Sequence, residues 1–377
     1  MSAMPTKAAM QVPLLDLKAQ YAEIKHDVDE AVRRVMESAR FIGGPEITGL
    51  EEEVARYSQS PYGIACASGT DALLLSLRAL GVGPGDEVVT TAYSFFASAG
   101  TIVNAGGTPV FVDIDPRTYN IDVHRLEAAI TPKTKAVIAV HLYGQCCDLT
   151  AVRAVCDKHQ IWLIEDAAQA IGAEWEGRRA GSVGDFGCFS FFPSKNLGGA
   201  GDGGMIVAKS PDLAEKLRLL REHGAKPKYY HSIVGTNSRL DALQAAILRV
   251  KLKHLDRWSE ARAKNADLYD RLLEGAKVGR PFRDSRARHI FNQYVVRSSD
   301  RDGLKQFLAD RGIGTEVYYP VPLHLQQCFS TLGYREGSMP HSEAAAKETL
   351  ALPIYPELGE ERIRYVAQMV REFSDRT

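Results

Sequence analysis

In the stretch "FSFFPSKNLGGAGDGG", Phe189 to Gly204, one lysine sits among aromatic residues, a proline and a run of glycines. Lys195 has no acidic neighbour in the chain closer than Asp202, and bulky apolar side chains lead up to it. An amine in such a desolvated setting has its charged form disfavoured, so its pKa falls from about 10.4 towards neutrality. That supplies the free amine that a Schiff base with a carbonyl compound needs. Ser190 on the preceding strand can reach an anion, and the glycines from Gly198 onward let backbone come close to a ligand. A lysine that snorkels from a strand end is the plain alternative.

Three further stretches bear on the same chemistry. In "ASGTDALLLSLRAL" a Ser-Gly-Thr turn opens a helix, where unpaired N–H groups make an anion site. Gly69 would let backbone approach, and the Thr70 hydroxyl adds a donor; ordinary N-capping by Ser68 or Thr70 explains the same residues. In "LIEDAAQAIG" Asp166 follows an apolar strand, at the carboxyl end where open parallel sheets bind ligands. Its carboxylate suits a protonated ring nitrogen, and Gln169 could donate to a nearby oxygen; an acidic helix cap is the alternative. In "GTNSRLDALQAAIL" Asn237 and Arg239 are expected at a helix start, suited to an anion or simply a cap with a surface arginine.

A carbonyl-capturing lysine, an acid for a ring nitrogen and a phosphate cradle together describe pyridoxal 5′-phosphate (PLP), an electron sink for a carbanion. Phe95 or Phe96 of "SFFAS" could cover the ring face. No His, Cys or Asp cluster has metal-ligand spacing, so no metal is expected.

The elements that must position these residues are legible as patterns. "EVVTTA", "TPVFVDI", "KAVIAVHLY", "IWLIEDA" and "MIVAKS" are near-continuous apolar runs, read as buried strands. Helical patterns lie between them, at Asp122 to Ile130 and Asp148 to His159, which implies a largely parallel sheet covered on both faces. An amphipathic helix runs from Asp16 to Ser38, and Thr48 and Glu51 have capping-box spacing. After about residue 235 the pattern changes. Asn237 to Trp258 reads as one helical stretch and a second follows through Leu273. "HIFNQYVVRS" and "GIGTEVYYP" read as strands, Asp300 caps a helix, and a final helix starts near Gly359. A large domain over residues 1–235 and a smaller α+β domain over residues 236–377 are expected, as a chain of 377 residues exceeds a usual single core.

Composition narrows the partners. Lys plus Arg (46) nearly cancels Asp plus Glu (47), which gives no electrostatic case for nucleic acid or a membrane surface. No apolar run reaches the ~18 residues of a membrane span. The opening "MSAMPTKAAMQ" lacks the apolar core of a secretory signal, so a cytoplasmic location is expected. The six cysteines show no CxxC pair, and Cys146 and Cys147 are too close for an unstrained disulfide, so all are read as reduced.

The order "SGTDAL", "SFFAS", "EDAAQA", "SFFPSKNLG", "GDGG" and "NSRLDALQAA" closely resembles the DegT/StrS-type nucleotide-sugar aminotransferases, over nearly the whole chain. The resemblance implies the fold of the fold-type I PLP-dependent transferases, α/β, with a mostly parallel seven-stranded sheet plus a smaller C-terminal domain. It implies a homodimer with shared active sites. The cofactor-bearing lysine falls on Lys195, the ring-nitrogen acid on Asp166 and the contact to the phenolic oxygen on Gln169. Phosphate contacts fall on Gly69, Thr70 and Ser190, the stacking aromatic on Phe95, and a neighbouring subunit's asparagine on Asn237. The implied reaction moves an amino group from L-glutamate to a keto-sugar nucleotide.

"SFFPSK" with Phe192, Gln169 in place of histidine, and "GDGG" rather than "GEGG" resemble the C3-aminating branch, acting on UDP- or dTDP-linked 3-keto sugars. A C4-aminating enzyme is the alternative. Arg239 lies where some members bind a sugar carboxylate, and "YYPVPLHLQ" matches a substrate loop, making Tyr319 and His324 candidate substrate contacts beside plain core packing. A dehydratase branch carries histidine at the lysine position, which Lys195 argues against. A PLP-fold regulator without turnover is the non-enzyme alternative; no helix-turn-helix extension is evident in the sequence.

Overall fold

A computed structural model describes residues 10–376. Most of the opening segment that bore on location, residues 1–9, lies outside the described residues.

The chain enters through α1 (Leu17–Ser38), capped by Asp16, whose carboxylate accepts from Lys18 and Ala19 N–H. Then follow α2 (Pro45–Tyr57), β1 (Tyr62–Cys66), α3 (Gly69–Ala79), β2 (Glu87–Thr91), α4 (Ala97–Asn104), β3 (Thr108–Val112), α5 (Val123–Leu126), β4 (Thr134–Val140), α6 (Leu149–His159) and β5 (Trp162–Asp166). The short pieces β6 (Glu174–Trp175) and β7 (Arg178–Arg179) precede β8 (Phe186–Ser190), β9 (Gly204–Ala208) and α7 (Pro211–Arg221). The remainder runs α8 (Ala242–Leu252), α9 (Leu255–Leu272), β10 (Ala287–Arg288), β11 (Tyr294–Arg297), α10 (Arg301–Ala309), α11 (Pro340–Glu348), β12 (Thr349–Leu352) and α12 (Glu360–Ser374).

Seven strands form one sheet in the order β1-β9-β8-β5-β4-β2-β3. Only β9 runs against its neighbours, so the sheet is mostly parallel, as expected. Side chains alternate across it. Val137, Leu163, Phe189 and Val207 bury into one core under α2, α6 and α8. Ile138, Ile164, Cys188 and Ile206 bury into a second core under α3 and α7. A third core joins α9, α10 and α12 to the antiparallel pair β11–β12.

Three local expectations are corrected. "GIGTEVYYP" forms no strand; it makes only single bridges, Ile313 to Val12 and Glu316 to Ala351. Asn237 to Trp258 is not one helix, and Asn237 and Arg239 are not at a helix start. Asn237 bridges Glu222, the Ser238 N–H donates to Arg221 O, and Asp241 bridges Ile42, so tertiary pairing holds this segment out until α8 begins at Ala242. The Thr48–Glu51 capping box is absent as well. Gly44, at φ 83°, ends the preceding turn and Pro45 opens α2, while Glu51 turns away to accept from Ala65 N–H and Arg221.

Candidate active site

A cavity of about 390 Å³ opens at the carboxyl ends of the parallel strands, where such sheets leave a crevice for ligands. Its wall brings together Gly69, Thr70, Phe95, Asp166, Gln169, Ser190, Lys195 and Tyr319, from five separate stretches of chain.

The cradle comes first. Ser68 caps α3, its Oγ accepting from Asp71 N–H at 3.0 Å. The N–H groups of Gly69 and Thr70 precede any possible intrahelical acceptor, at the positive end of the helix, and both residues line the cavity. A Cβ on Gly69 would meet the Ser190 Cβ at 2.6 Å, so only glycine lets the end of β8 lie against this turn. Capping and an anion site therefore coexist in the same few residues.

Asp166 ends β5 and is buried. No helix follows, so it is no helix cap; one oxygen takes the Ser98 hydroxyl at 2.7 Å and the other the Ala168 N–H at 3.3 Å. Burial pushes its carboxyl above the usual carboxylate range, and those two bonds with the Lys195 charge pull against it.

Lys195 stands on the glycine-rich loop after β8, its N–H donating to Phe192 O at 2.9 Å. Its ammonium has no hydrogen-bond or ion-pair partner among the described residues. Burial brings it down to about 8, with the Asp166 carboxylate pulling upward. Lys251 nearby, also brought to about 8 by burial, binds the Gly198 carbonyl at 2.7 Å and braces the same loop from α8.

Gln169 is fixed at both ends. The Tyr143 N–H donates to its Oε1 at 2.7 Å, so its Nε2 must be the donor to the Tyr319 hydroxyl at 3.0 Å. Burial holds the Tyr319 phenol well above its ordinary pKa, which keeps its proton in place. The Tyr93 hydroxyl donates to Tyr318 O at 2.6 Å and accepts from Tyr319 N–H at 3.0 Å, pinning the segment that carries this side chain. Phe95 faces the cavity 6.0 Å from the Tyr319 ring, with half its surface open.

Three expected residues stand elsewhere. Asn237 and Arg239 are exposed and outside the cavity wall. His324 is buried against Glu343, Nε2 to Oε1 at 3.0 Å, with Tyr334 across its ring. Other residues joined the site without being singled out. His141 lines the cavity and Gln293 closes another side. Ser94 and Ser98 were visible in "SFFAS", but hydroxyls four apart carry no signal until the fold aims them.

The residues fit PLP: a helix start with free N–H donors for a dianion, an unpaired lysine, and a buried carboxylate for a ring nitrogen. Among the described residues no group of three or more His, Cys, Asp or Glu side chains could hold a metal ion, and all six cysteines are free thiols.

Known proteins agree with this geometry. The family model for the DegT/DnrJ/EryC1/StrS aminotransferases matches residues 22–371. A pleiotropic regulatory protein of Geobacillus stearothermophilus is 53% identical, with 97% of this chain and 99% of that one covered. A UDP-N-acetyl-3-dehydro-alpha-D-glucosamine 3-aminotransferase of Acidithiobacillus ferrooxidans is 44% identical over 96% of this chain and 97% of that one. The crystal structure of DesV from S. venezuelae, in complex with a ketimine intermediate, superposes with a TM-score of 0.95 at 43% identity, covering 97% and 99% of the two chains. The motifs read from sequence, the sheet and the cavity thus converge, and the chain belongs to the DegT/DnrJ/EryC1/StrS aminotransferase family.

Proposed function

We propose that this protein moves an amino group from L-glutamate to C3 of a UDP- or dTDP-linked 3-keto sugar, with PLP as its cofactor. The observation that carries the reading is a lysine brought to about 8 by burial, facing a buried carboxylate across one cavity. Relatives named for 3-amination of UDP- and dTDP-linked sugars support the substrate class. Solved relatives in PLP and PMP forms support the cofactor.

PLP supplies an electron sink for a carbanion; the rest falls to the chain. Gly69 and Thr70 N–H groups and the Ser190 hydroxyl hold the phosphate at the α3 dipole. Asp166 holds the ring nitrogen in its protonated form, and the second Nε2 hydrogen of Gln169 serves the phenolic oxygen. Phe95 covers one ring face. Lys195 Nζ, brought to about 8 by burial, would take up a proton from the substrate carbon and hold it for return. Tyr319, held protonated, acts as a donor and not as a base.

The site is completed by a second copy of the chain. Phe95, Phe192, Tyr229 and Tyr230 are all at least half exposed, and Asn237 is exposed in a segment that its own cavity does not use; across a homodimer it reaches the partner's cofactor. Arg239 and the substrate belong to the same interface. His324 then supports the substrate loop by packing. A larger unit over residues 1–235 and a smaller one over residues 236–377 belong to the same proposal. A cytoplasmic location is part of the same reading; among the described residues no helix is long and apolar enough to cross a membrane.

The test is the absorbance of the PLP-loaded protein before and after L-glutamate. The yellow band should give way to a shorter-wavelength one, and a UDP- or dTDP-linked 3-keto sugar should restore it while a 4-keto sugar does not. Restoration by the 4-keto sugar alone would make this a C4 aminotransferase. A band unchanged by any amino donor would favour a PLP-fold regulator, the reading that the Geobacillus relative's name supports.

A further inference from the structure

The two serines of "SFFAS" have no part in the reading so far, yet the fold links them in a hydrogen-bonded chain to its central acid. Ser94 is 4% exposed and Ser98 is fully buried. The Ser98 Oγ lies 2.7 Å from Asp166 Oδ2 and 2.9 Å from the Ser94 Oγ. An ionised carboxylate only accepts, so the single Ser98 proton goes to Asp166. Ser98 then has only lone pairs to offer, and the Ser94 hydroxyl donates to it. Both hydroxyls point one way, and bonds aligned like this strengthen one another. The Ala168 N–H occupies the other Asp166 oxygen at a looser 3.3 Å. Asp166 itself lines the cavity.

We propose that Ser98, backed by Ser94, is the positioning residue that orients Asp166 and fixes how firmly a proton stays on the ring nitrogen rather than on the carboxylate. This rests on the reading that Asp166 partners that nitrogen. The bond from Ser98 stabilises the charged carboxylate and opposes its burial. Without it the shared proton moves: the ring N–H bond breaks, an O–H bond forms on Asp166, and the ring becomes a poorer electron sink.

The experiment uses full-length protein loaded with PLP labelled with ¹⁵N in the ring, comparing Ser98→Ala, Ser98→Cys and Ser98→Thr. Cysteine matches serine in size with a weak donor, so it serves if alanine fails to fold; threonine keeps the hydroxyl. In the alanine or cysteine variant the ring-nitrogen resonance should move towards the unprotonated position. kcat should fall by roughly ten- to a hundredfold, the worth of one hydrogen bond to a charged group, with KM for L-glutamate nearly unchanged. Threonine should restore both. A wild-type resonance and kcat in either the alanine or the cysteine variant would overturn the proposal. Asp166→Asn separates the underlying reading: if its ring-nitrogen resonance also matches wild type, Asp166 is not the partner of that nitrogen, and the assignment fails at that step.

Discussion

Glu165 and Asp166 are adjacent on β5, both buried, and they point to opposite faces of the sheet. Their carboxyls shift in opposite directions. Burial alone would raise Glu165, but the His141 ring at 2.8 Å and the N–H groups of Gly181, Val183 and Gly184 hold it below the usual range. The Cys147 N–H donates to His141 Nδ1, so the ring proton lies on Nε2 and is given to Glu165. Asp166 has one hydroxyl, one long N–H bond and a cavity, and burial wins there. The same strand thus carries a saturated acid that holds the fold together and an under-satisfied acid that waits for a ligand. The count of donors, not burial, separates structure from chemistry.

The largest test of this contrast concerns the base on the active face. Lys195→Ala should lose activity by roughly 10⁴-fold, the upper end for a missing proton-transfer group, while unfolding near the wild-type urea concentration. Partner-dependent effects that persist in this variant would revive the regulator reading. On the saturated side, Glu165→Ala leaves three buried N–H groups and His141 without an acceptor. It should cost about 3–5 kcal/mol in urea unfolding; a loss below about 1 kcal/mol would break the comparison.

Asp166→Asn should do the reverse of Glu165→Ala. Stability should stay within about 1 kcal/mol, since a poorly satisfied charge is removed, but kcat should drop by roughly 10²–10³, measured with saturating L-glutamate. The smallest effect is a matter of pH. The folded Lys195 sits at about 8 and its unfolded counterpart at 10.5, so the unfolded chain binds the extra proton between them. Its burial cost is full below about pH 8 and relieved as pH rises towards 10.5. Cofactor-free Lys195→Met should therefore outlast wild type in urea at pH 7, by on the order of 1 kcal/mol. That advantage should shrink between pH 8 and 10.5; a gap independent of pH would mean that packing and not charge sets it.

Much of this architecture is legible along the chain because it is local. Apolar runs such as "IWLIEDA" declare strands covered on both faces, Asp148 and Asp300 declare helix starts, and the Ser-Gly-Thr turn declares a cap that doubles as a cradle. Reading failed where long-range pairing outweighs local preference. Asn237 to Asp241 carries a helical pattern, yet it is drawn into bridges with Glu222 and Ile42. The "GIGTEVYYP" segment has strand-like residues but meets Val12 and Ala351 only in single bridges, and the Tyr93 hydroxyl holds its end. His324 looks like a ligand contact in a substrate loop until Glu343, nineteen residues on, takes its ring.

By itself, then, the sequence determined which groups are available: one lysine in a desolvated loop, one acid at a strand end, one helix start with free donors. Alternation along β5 also put Glu165 and Asp166 on opposite faces, since side chains in a strand alternate whatever surrounds them. Only the tertiary structure decided which face received three amides and an imidazole and which received a serine pair and a cavity. Those donors come from Gly181 to Gly184, His141 and Ser98, distant in sequence from the acids they serve. Their positions depend on the packing of β4, α4 and the turn before β8 around one strand, and no local pattern encodes that packing.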